Sequence, residues 1–476
     1  MDVPHMTADE FRRHGKALVD WIADHWETLD ERPIRPAVTP GQVRDALPDA
    51  APERPEPFSD VLADLDRVVV PGLTGWQAPG WFAYFPAMAS FPAILGELAA
   101  AGLAQQGMLW STSPATTEVE SHVLDWLVDL MGVPQTWKTT GPGGGVLQMS
   151  ASDSTHTALV VARERARTGG ARERARERTG ARAEDQVVYA SAQAHSSVEK
   201  GAMVAGFGHI RLVATEAGTH AMSIDALRTA IATDVADGLT PAFVCAAIGT
   251  TGTTAVDDVR AVAEVGRAHG MWVHVDAAYA GSAFICPELR GHADGLELVD
   301  SYTFNPHKWL ATNFDCSVFW VADRQPLIET LSILPPYLVD SASESGAVID
   351  YRDWHVPLGR RFRALKLWFV LRSYGAEGLR AMIREHVRLA RELAGRVAAH
   401  DRLELVAPTP FALVSFAHVD GDEATTRIAD AVNASGHSYL TTSVLDGRTY
   451  VRVSIGAPTT RAEHVDRLWD LIAAAT

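Results

Sequence analysis

The chain has 476 residues, 47% of them hydrophobic and 21% charged, with a formal net charge of −17. That length and apolar fraction allow a large buried core spread over two or three domains. The acidic balance sets the chain against nucleic acid or anionic membranes as main partners, because like charges repel. Three cysteines, Cys245, Cys286 and Cys316, form no Cys-x-x-Cys pair, which reads as small buried side chains in a reducing, cytoplasmic setting.

In chain order, residues 1–5 lack the basic region and apolar core of a signal peptide. Phe11, Leu18, Val19, Ile22 and Trp26 then fall near one face of a helix over residues 8–27. Arg32 to Pro57, rich in proline and charge, reads as an extended connector. Residues 60–70 are amphipathic again and end at Pro71-Gly72. The apolar stretch at 92–104 is interrupted by Glu97 and is too short to span a bilayer. Gly141–Gly145 reads as a glycine-rich turn, with a helix predicted over 157–167. Residues 163–182 hold eight arginines interleaved with Glu164, Glu173 and Glu177, the pattern of a solvated helix and loop.

Short β-rich runs follow at 187–190, 210–213, 243–248, 272–275, 301–304 and 316–321, separated by helical ones. This alternation predicts an α/β fold with a mainly parallel sheet, in which functional residues gather at the carboxyl ends of strands. The last hundred residues predict a helix over 379–399, strands at 412–416 and 450–455, and a helix over 462–475, a small α+β unit. No internal repeat is visible.

Chemistry concentrates in a few places. The strand at 272–275 delivers Asp276, followed by the small residues Ala277 and Ala278. An Asp there serves as a turn residue, a metal ligand, or the partner of a protonated pyridine nitrogen. Thirty-two residues on, Lys308 stands within Ser301-Tyr302-Thr303-Phe304-Asn305-Pro306-His307-Lys308-Trp309. A lysine in apolar surroundings either snorkels to a carboxylate or, desolvated, becomes an amine nucleophile toward an aldehyde. Asp276 and Lys308 together point to pyridoxal 5′-phosphate (PLP). Ser150, Ala151 and Ser152, after the glycine run, could cradle its phosphate at a helix N-terminus. His195, just past a strand, is structural or stacks on the ring. Thr250, in a run of threonines, could hydrogen-bond the cofactor. No zinc pattern or Gly-x-Ser-x-Gly elbow is present.

From about Phe11 to Ile472 the sequence resembles the aromatic-L-amino-acid decarboxylases, in the group II branch of PLP decarboxylases. The motifs that carry the resemblance are Phe82–Pro86, Gln193–Glu199, His274–Pro287, Asn305–Trp309, Asp350–Arg352 and Pro357–Arg363. It implies the PLP-dependent transferase-like fold of type I. An N-terminal helical dimerisation segment (1–90) would precede a large PLP-binding domain (91–370) and a small C-terminal α+β domain (371–476). It also implies a homodimer with the site at the subunit interface. By the same resemblance Lys308 carries the cofactor as a Schiff base, Asp276 pairs with the pyridinium and His195 stacks on the ring. Ala151, Ser152, Asn305 and His307 belong to the phosphate shell, Thr250 contacts the cofactor, and Tyr337 is a loop tyrosine that helps to protonate Cα after CO2 leaves. Related aldehyde synthases often carry Phe in place of that tyrosine, or Asn in place of the histidine. Both decarboxylase residues are kept here.

For the substrate, the resemblance implies an aromatic wall of Trp76, Tyr84, Phe85 and Pro86, with Ala87 where animal enzymes have a catechol-contacting threonine. Gln106 and Met108 replace an isoleucine and a phenylalanine, and Leu358 and Gly359 complete the pocket. Glycine at position 359, as in plant tryptophan decarboxylases, leaves room for an indole. The resulting expectation is a decarboxylase favouring tryptophan, with phenylalanine, tyrosine or DOPA as co-substrates. The alternatives are an aromatic acetaldehyde synthase on the same scaffold, and a non-enzymatic binder acting through the arginine-rich segment.

Overall fold

The computed structural model describes residues 5–168, 181–333 and 348–476. Tyr337 and most of the second half of the arginine-rich run lie outside the described residues. The N-terminal helix Ala8–Glu27 starts as its sequence dictates: Thr7 Oγ1 accepts from the Glu10 N–H, and the Glu10 carboxylate accepts from the Thr7 N–H at 2.8 Å. None of its residues is buried within this chain, and Phe11 is 60% exposed. The connector after it holds one short helix, Gln42–Asp45.

Seven strands build the main sheet: β1 Gly144–Gln148, β2 Gln186–Ser191, β3 His209–Val213, β4 Thr240–Ala247, β5 Trp272–Asp276, β6 Ser301–Phe304 and β7 Ser317–Val321. Their order is β1-β7-β6-β5-β4-β2-β3. β3, β2, β4, β5 and β6 run parallel, while β7 is antiparallel to both β6 and β1. The parallel strands read as near-continuous apolar runs because helices cover both faces. The helix Pro114–Met131 buries Val123, Leu124, Leu127 and Val128 on one side, and Ala151–Thr168 buries Ala158, Leu159, Val161 and Ala162 on the other.

Two sequence expectations are corrected here. Gly144 and Gly145 do not turn; they enter β1 opposite Val321 and Trp320. A Cβ on Gly145 would fall 2.5 Å from the Trp320 ring, so glycine is required there for packing. The helix predicted from residue 157 begins at Ala151. Its first turns are small and polar, without apolar periodicity, because Ser154 and Thr155 bury hydroxyls against Ser317 and His274.

The C-terminal part opens with the helix Arg363–Ala398, whose course breaks at Gly375 (φ 63°, ψ 173°). A second sheet follows: β8 Leu403–Leu405, β9 Leu413–His418, β10 Thr441–Leu445 and β11 Arg448–Ser454, antiparallel in the order β10-β11-β9-β8. The helix Asp422–Ala434 packs on this sheet, and Ala462–Ala475 packs against that helix. β11 also anchors the segment that carries the aromatic wall: Ser454 N donates to Phe82 O at 2.8 Å, and Phe82 N to Tyr439 O at 3.1 Å. Among the described residues no helix is long and apolar enough to cross a membrane.

Candidate active site

Asp276 closes β5, and its Oδ1 accepts from the Ala278 N–H at 2.9 Å, which curls the chain over the strand end. The neighbouring strand β6 ends at Phe304. Asn305 N then donates to Ala278 O at 2.9 Å, and the helical turn Pro306–Trp309 presents Lys308. Parallel pairing of β5 with β6 thus delivers a carboxylate and an amine to one edge of the sheet. They line a cavity of about 230 Å³ together with Phe85, Ser150, Ala151, Ser152, His195, Thr250, Ala278, Asn305 and His307. Every cofactor residue expected from the sequence is in that lining. A larger cavity, about 450 Å³, lies between the N-terminal helix and residues 70–78, lined by Trp26, Leu29, Pro71 and Trp76 among others. It holds no lysine and no carboxylate, so size alone does not mark the chemistry.

The electrostatics of the smaller cavity are asymmetric. Burial pulls the Lys308 pKa below its ordinary value, and the charge of Asp276 offsets part of that effect. The Lys308 ammonium lies 5.6 Å from the Phe85 ring centre. His307 is pushed down to about 3, first by burial and then by Lys308. Its Nδ1 accepts from the Cys316 N–H at 2.9 Å, so the neutral ring carries its proton on Nε2 and remains a donor. His195 is likewise lowered, mainly by burial, and its Nδ1 accepts from the Ser197 N–H at 3.1 Å.

On the opposite wall, Ser150 Oγ takes the Asp153 N–H, capping the helix Ala151–Thr168. Ala151 and Ser152 occupy its first turn, where amides have no intrahelical partner. Asn305, 3% exposed, has an Oδ1 without a hydrogen-bond partner in the described structure. Thr250 Oγ1 is partly engaged inside its own loop, accepting from the Ala255 N–H at 3.0 Å.

This donor set fits PLP. The helix start, two serine hydroxyls and the His307 Nε2–H suit a phosphate, Asp276 suits a protonated ring nitrogen, and Lys308 suits an aldehyde carbon. The family model of the pyridoxal-dependent decarboxylase conserved domain matches residues 40–419. The chain belongs to this family. Phenylacetaldehyde synthase of Arabidopsis thaliana is 42% identical, over 98% of this chain and 96% of that protein. Tyrosine decarboxylase 2 of Narcissus pseudonarcissus is also 42% identical, covering 98% and 93%. The crystal structure of Oryza sativa TDC with PLP and tryptamine superposes with a TM-score of 0.95 at 38% identity, covering 99% of each chain. This member of the aromatic-L-amino-acid decarboxylase group is therefore a carboxy-lyase of fold type I, and its cofactor is PLP.

The residues expected to contact substrate are less concentrated. Phe85 alone among them lines the cofactor cavity. Trp76 and Tyr84 stack at 5.8 Å with Trp81 beside them, and are 40% and 46% exposed. Pro86 packs on Gly456, and Ala87 O accepts from Gln77 Nε2 at 2.6 Å. Gln106, Met108, Leu358 and Gly359 form a separate patch: Gln106 Oε1 accepts from the Arg360 N–H at 2.8 Å, and Met108 O from the Arg352 N–H at 3.0 Å. Leu358 is 48% exposed. Tyr337 lies outside the described residues.

Two aromatic residues that line the cavity, Tyr279 and Phe314, and one arginine behind it, Arg452, have no role in the sequence reading. Tyr279 stacks face to face on Phe85 at 3.9 Å and on Trp309 at 4.6 Å. Phe314 lies 4.6 Å from the His307 ring. Arg452, from β11, is 5% exposed and donates to Thr251 O at 2.6 Å and Ala83 O at 3.2 Å, joining the threonine loop to the Phe85 wall. A buried arginine without a carboxylate nearby in sequence was the available signal, but strand β11 alone does not say what it meets.

Proposed function

We propose that this enzyme decarboxylates aromatic L-amino acids to the arylalkylamine and CO2, tryptophan foremost, with phenylalanine, tyrosine or DOPA as co-substrates. The observation that carries the reading is the half-buried Lys308 amine, its pKa lowered, sharing one cavity with Asp276 and the Ser150–Ser152 helix start. PLP, when bound, supplies an electron sink for the pair left behind by CO2. Lys308 offers an amine that is easily deprotonated and so able to hold the cofactor's aldehyde. Asp276 holds a proton at the pyridine nitrogen. Ala151, Ser152, Asn305 and His307 bind phosphate, Thr250 contacts the cofactor, and His195 lies against the ring. Phe85, backed by Tyr279, keeps water from that face. We assign proton delivery to the substrate Cα to the Tyr337 hydroxyl.

Support for an indole comes from Gly359: a Cβ there would have one neighbour within 4 Å, the end of the Gln106 side chain. Trp76, Tyr84, Pro86, Ala87, Met108 and Leu358 are assigned to the remaining pocket wall. We further propose a homodimer of the cytoplasm. The unburied helix Ala8–Glu27 and the exposed Phe91, Leu95 and Leu98 are the surface a second copy would cover, and the exposed Gln106–Gly359 patch would then complete the partner's cavity.

The test offers purified enzyme and PLP an equal mixture of tryptophan, phenylalanine, tyrosine, DOPA and histidine, with amines measured by mass spectrometry. Tryptamine in excess is expected. Amine chiefly from the single-ring substrates would keep the reaction and remove the indole preference. The 42% identity to a phenylacetaldehyde synthase favours a second reading, oxidative conversion to the aldehyde. His195 and Tyr337 stand against it, and peroxide equal to substrate consumed would establish it instead.

A further inference from the structure

The Gln106 amide has a defined direction. Arg360 N–H can only donate, so the atom it meets at 2.8 Å is the carbonyl oxygen of the side chain, and the other end is the NH2 group. That nitrogen stands 3.2 Å from where a Cβ on Gly359 would lie. Among the described residues it has no hydrogen-bond acceptor. Its direction does not depend on a loose surface chain. Gly107 N returns a bond to Arg360 O at 3.1 Å, and Arg360 Nη1 donates to Gly107 O at 3.3 Å. The Arg360 guanidinium, 3% exposed, is paired at 2.5 Å with Glu120, which is fully buried and also accepts from the Leu147 N–H at 2.8 Å. A buried ion pair therefore fixes a hydrogen-bond donor over the open face of Gly359.

We propose that Gln106 is a specificity-determining residue whose amide nitrogen donates to an oxygen on the substrate ring, so that among single-ring amino acids the phenols tyrosine and DOPA are taken ahead of phenylalanine. This rests on the decarboxylase reading and on its placing of Gln106 and Gly359 against the ring. A phenolic oxygen accepts from the amide. A phenyl edge offers no acceptor and leaves the donor unpaired once water is excluded. An indole N–H is itself a donor, so tryptophan gains from the room at Gly359 and not from Gln106.

The experiment measures kcat/KM for amine release from tyrosine, DOPA, phenylalanine and tryptophan with PLP-loaded enzyme, for the natural chain, Gln106→Leu and Gln106→Glu. Gln106 is exposed in the single chain, but Gln106→Leu removes the acceptor of the Arg360 N–H while Gln106→Glu keeps one, so thermal unfolding of both variants separates a loss of fold from a loss of selectivity. Gln106→Leu is expected to lower the tyrosine-to-phenylalanine ratio about tenfold, the scale of one hydrogen bond. Gln106→Glu keeps an oxygen for the Arg360 N–H but presents an acceptor in place of the donor, and is expected to raise tryptophan relative to tyrosine. Amine from all four substrates, with a tyrosine-to-phenylalanine ratio within twofold of the natural enzyme in Gln106→Leu, overturns this proposal alone. Amine from none of them in the natural enzyme overturns it together with the reading beneath it.

Discussion

Asp276 and Lys308 act on each other before any ligand arrives. The carboxylate raises the lysine's affinity for a proton while burial lowers it. Replacing Asp276 with Asn keeps the shape of the strand end and removes the charge. On the proposed roles, kcat should fall by about 10²–10³-fold, the usual scale for losing one preorganised electrostatic partner, while Lys308 loses the influence that opposes its pKa depression. Steady-state amine release checks the first point. A variant within a fewfold of the natural kcat would show that Asp276 does not hold a proton that matters. The nearness of these two groups was legible in sequence because one closes an apolar strand and the other follows the end of the next. Tyr279 was not, since its contact with Phe85 joins positions almost two hundred apart and depends on β11 holding the Phe82 segment.

Among elements, β1 and the helix after it form the unit that presents Ser150, Ala151 and Ser152. Gly145 is buried in β1 against the Trp320 ring. Gly145→Ala should cost about 1–3 kcal/mol through overpacking and, on the proposed roles, weaken PLP binding, because the shift would be passed along four residues to Ser150. Thermal unfolding and cofactor titration would check this, and a fully stable variant with unchanged affinity would contradict it. The parallel strands were readable as compact apolar runs. β8 and β10 were not: one has three residues, the other alternates exposure over Thr441-Thr442-Ser443, and both draw their strand character from β9 and β11. The start at Ala151 was hidden for the complementary reason, since buried hydroxyls there replace the apolar period. The separation of Gln106 and Gly359 from the cofactor cavity within one chain was equally invisible, because sequence motifs carry no account of which face a segment presents.

Over the whole molecule, buried titratable groups set the acid response. His274 and His386 are held down to about 4 and His307 to about 3, in each case first by burial. Their depressed folded pKa values mean that the stability they contribute is complete above the ordinary histidine range and is lost as pH falls from about 6.5 toward 4. Asp257 runs the other way. Burial raises it to about 6, so its contribution is complete below the ordinary carboxylate range and fades as pH rises through 6. Among the described residues burial lowers eight histidines and raises four aspartates, so the protein should unfold at a lower temperature at pH 5 than at pH 7. Calorimetry at the two values decides it; an equal or higher Tm at pH 5 would mean that these histidines are hydrated in solution.

The ring stack running from Phe85 through Tyr279 to Trp309 has an optical consequence. Trp309 is fully buried, its Nε1 donates to His386 Nδ1 at 3.0 Å, and it adjoins the lysine of the cofactor cavity. Shielded from water, it should emit at the blue edge of tryptophan fluorescence. A cofactor absorbing in the near ultraviolet, if held by the adjacent Lys308, would quench that emission by energy transfer. The chain thus carries an internal gauge of cofactor occupancy, readable without any added dye. In Trp309→Phe, titrating the cofactor should quench the blue-edge emission less than in the natural enzyme, the remaining quenching coming from the other fully buried tryptophans, Trp81, Trp137, Trp272, Trp320 and Trp354.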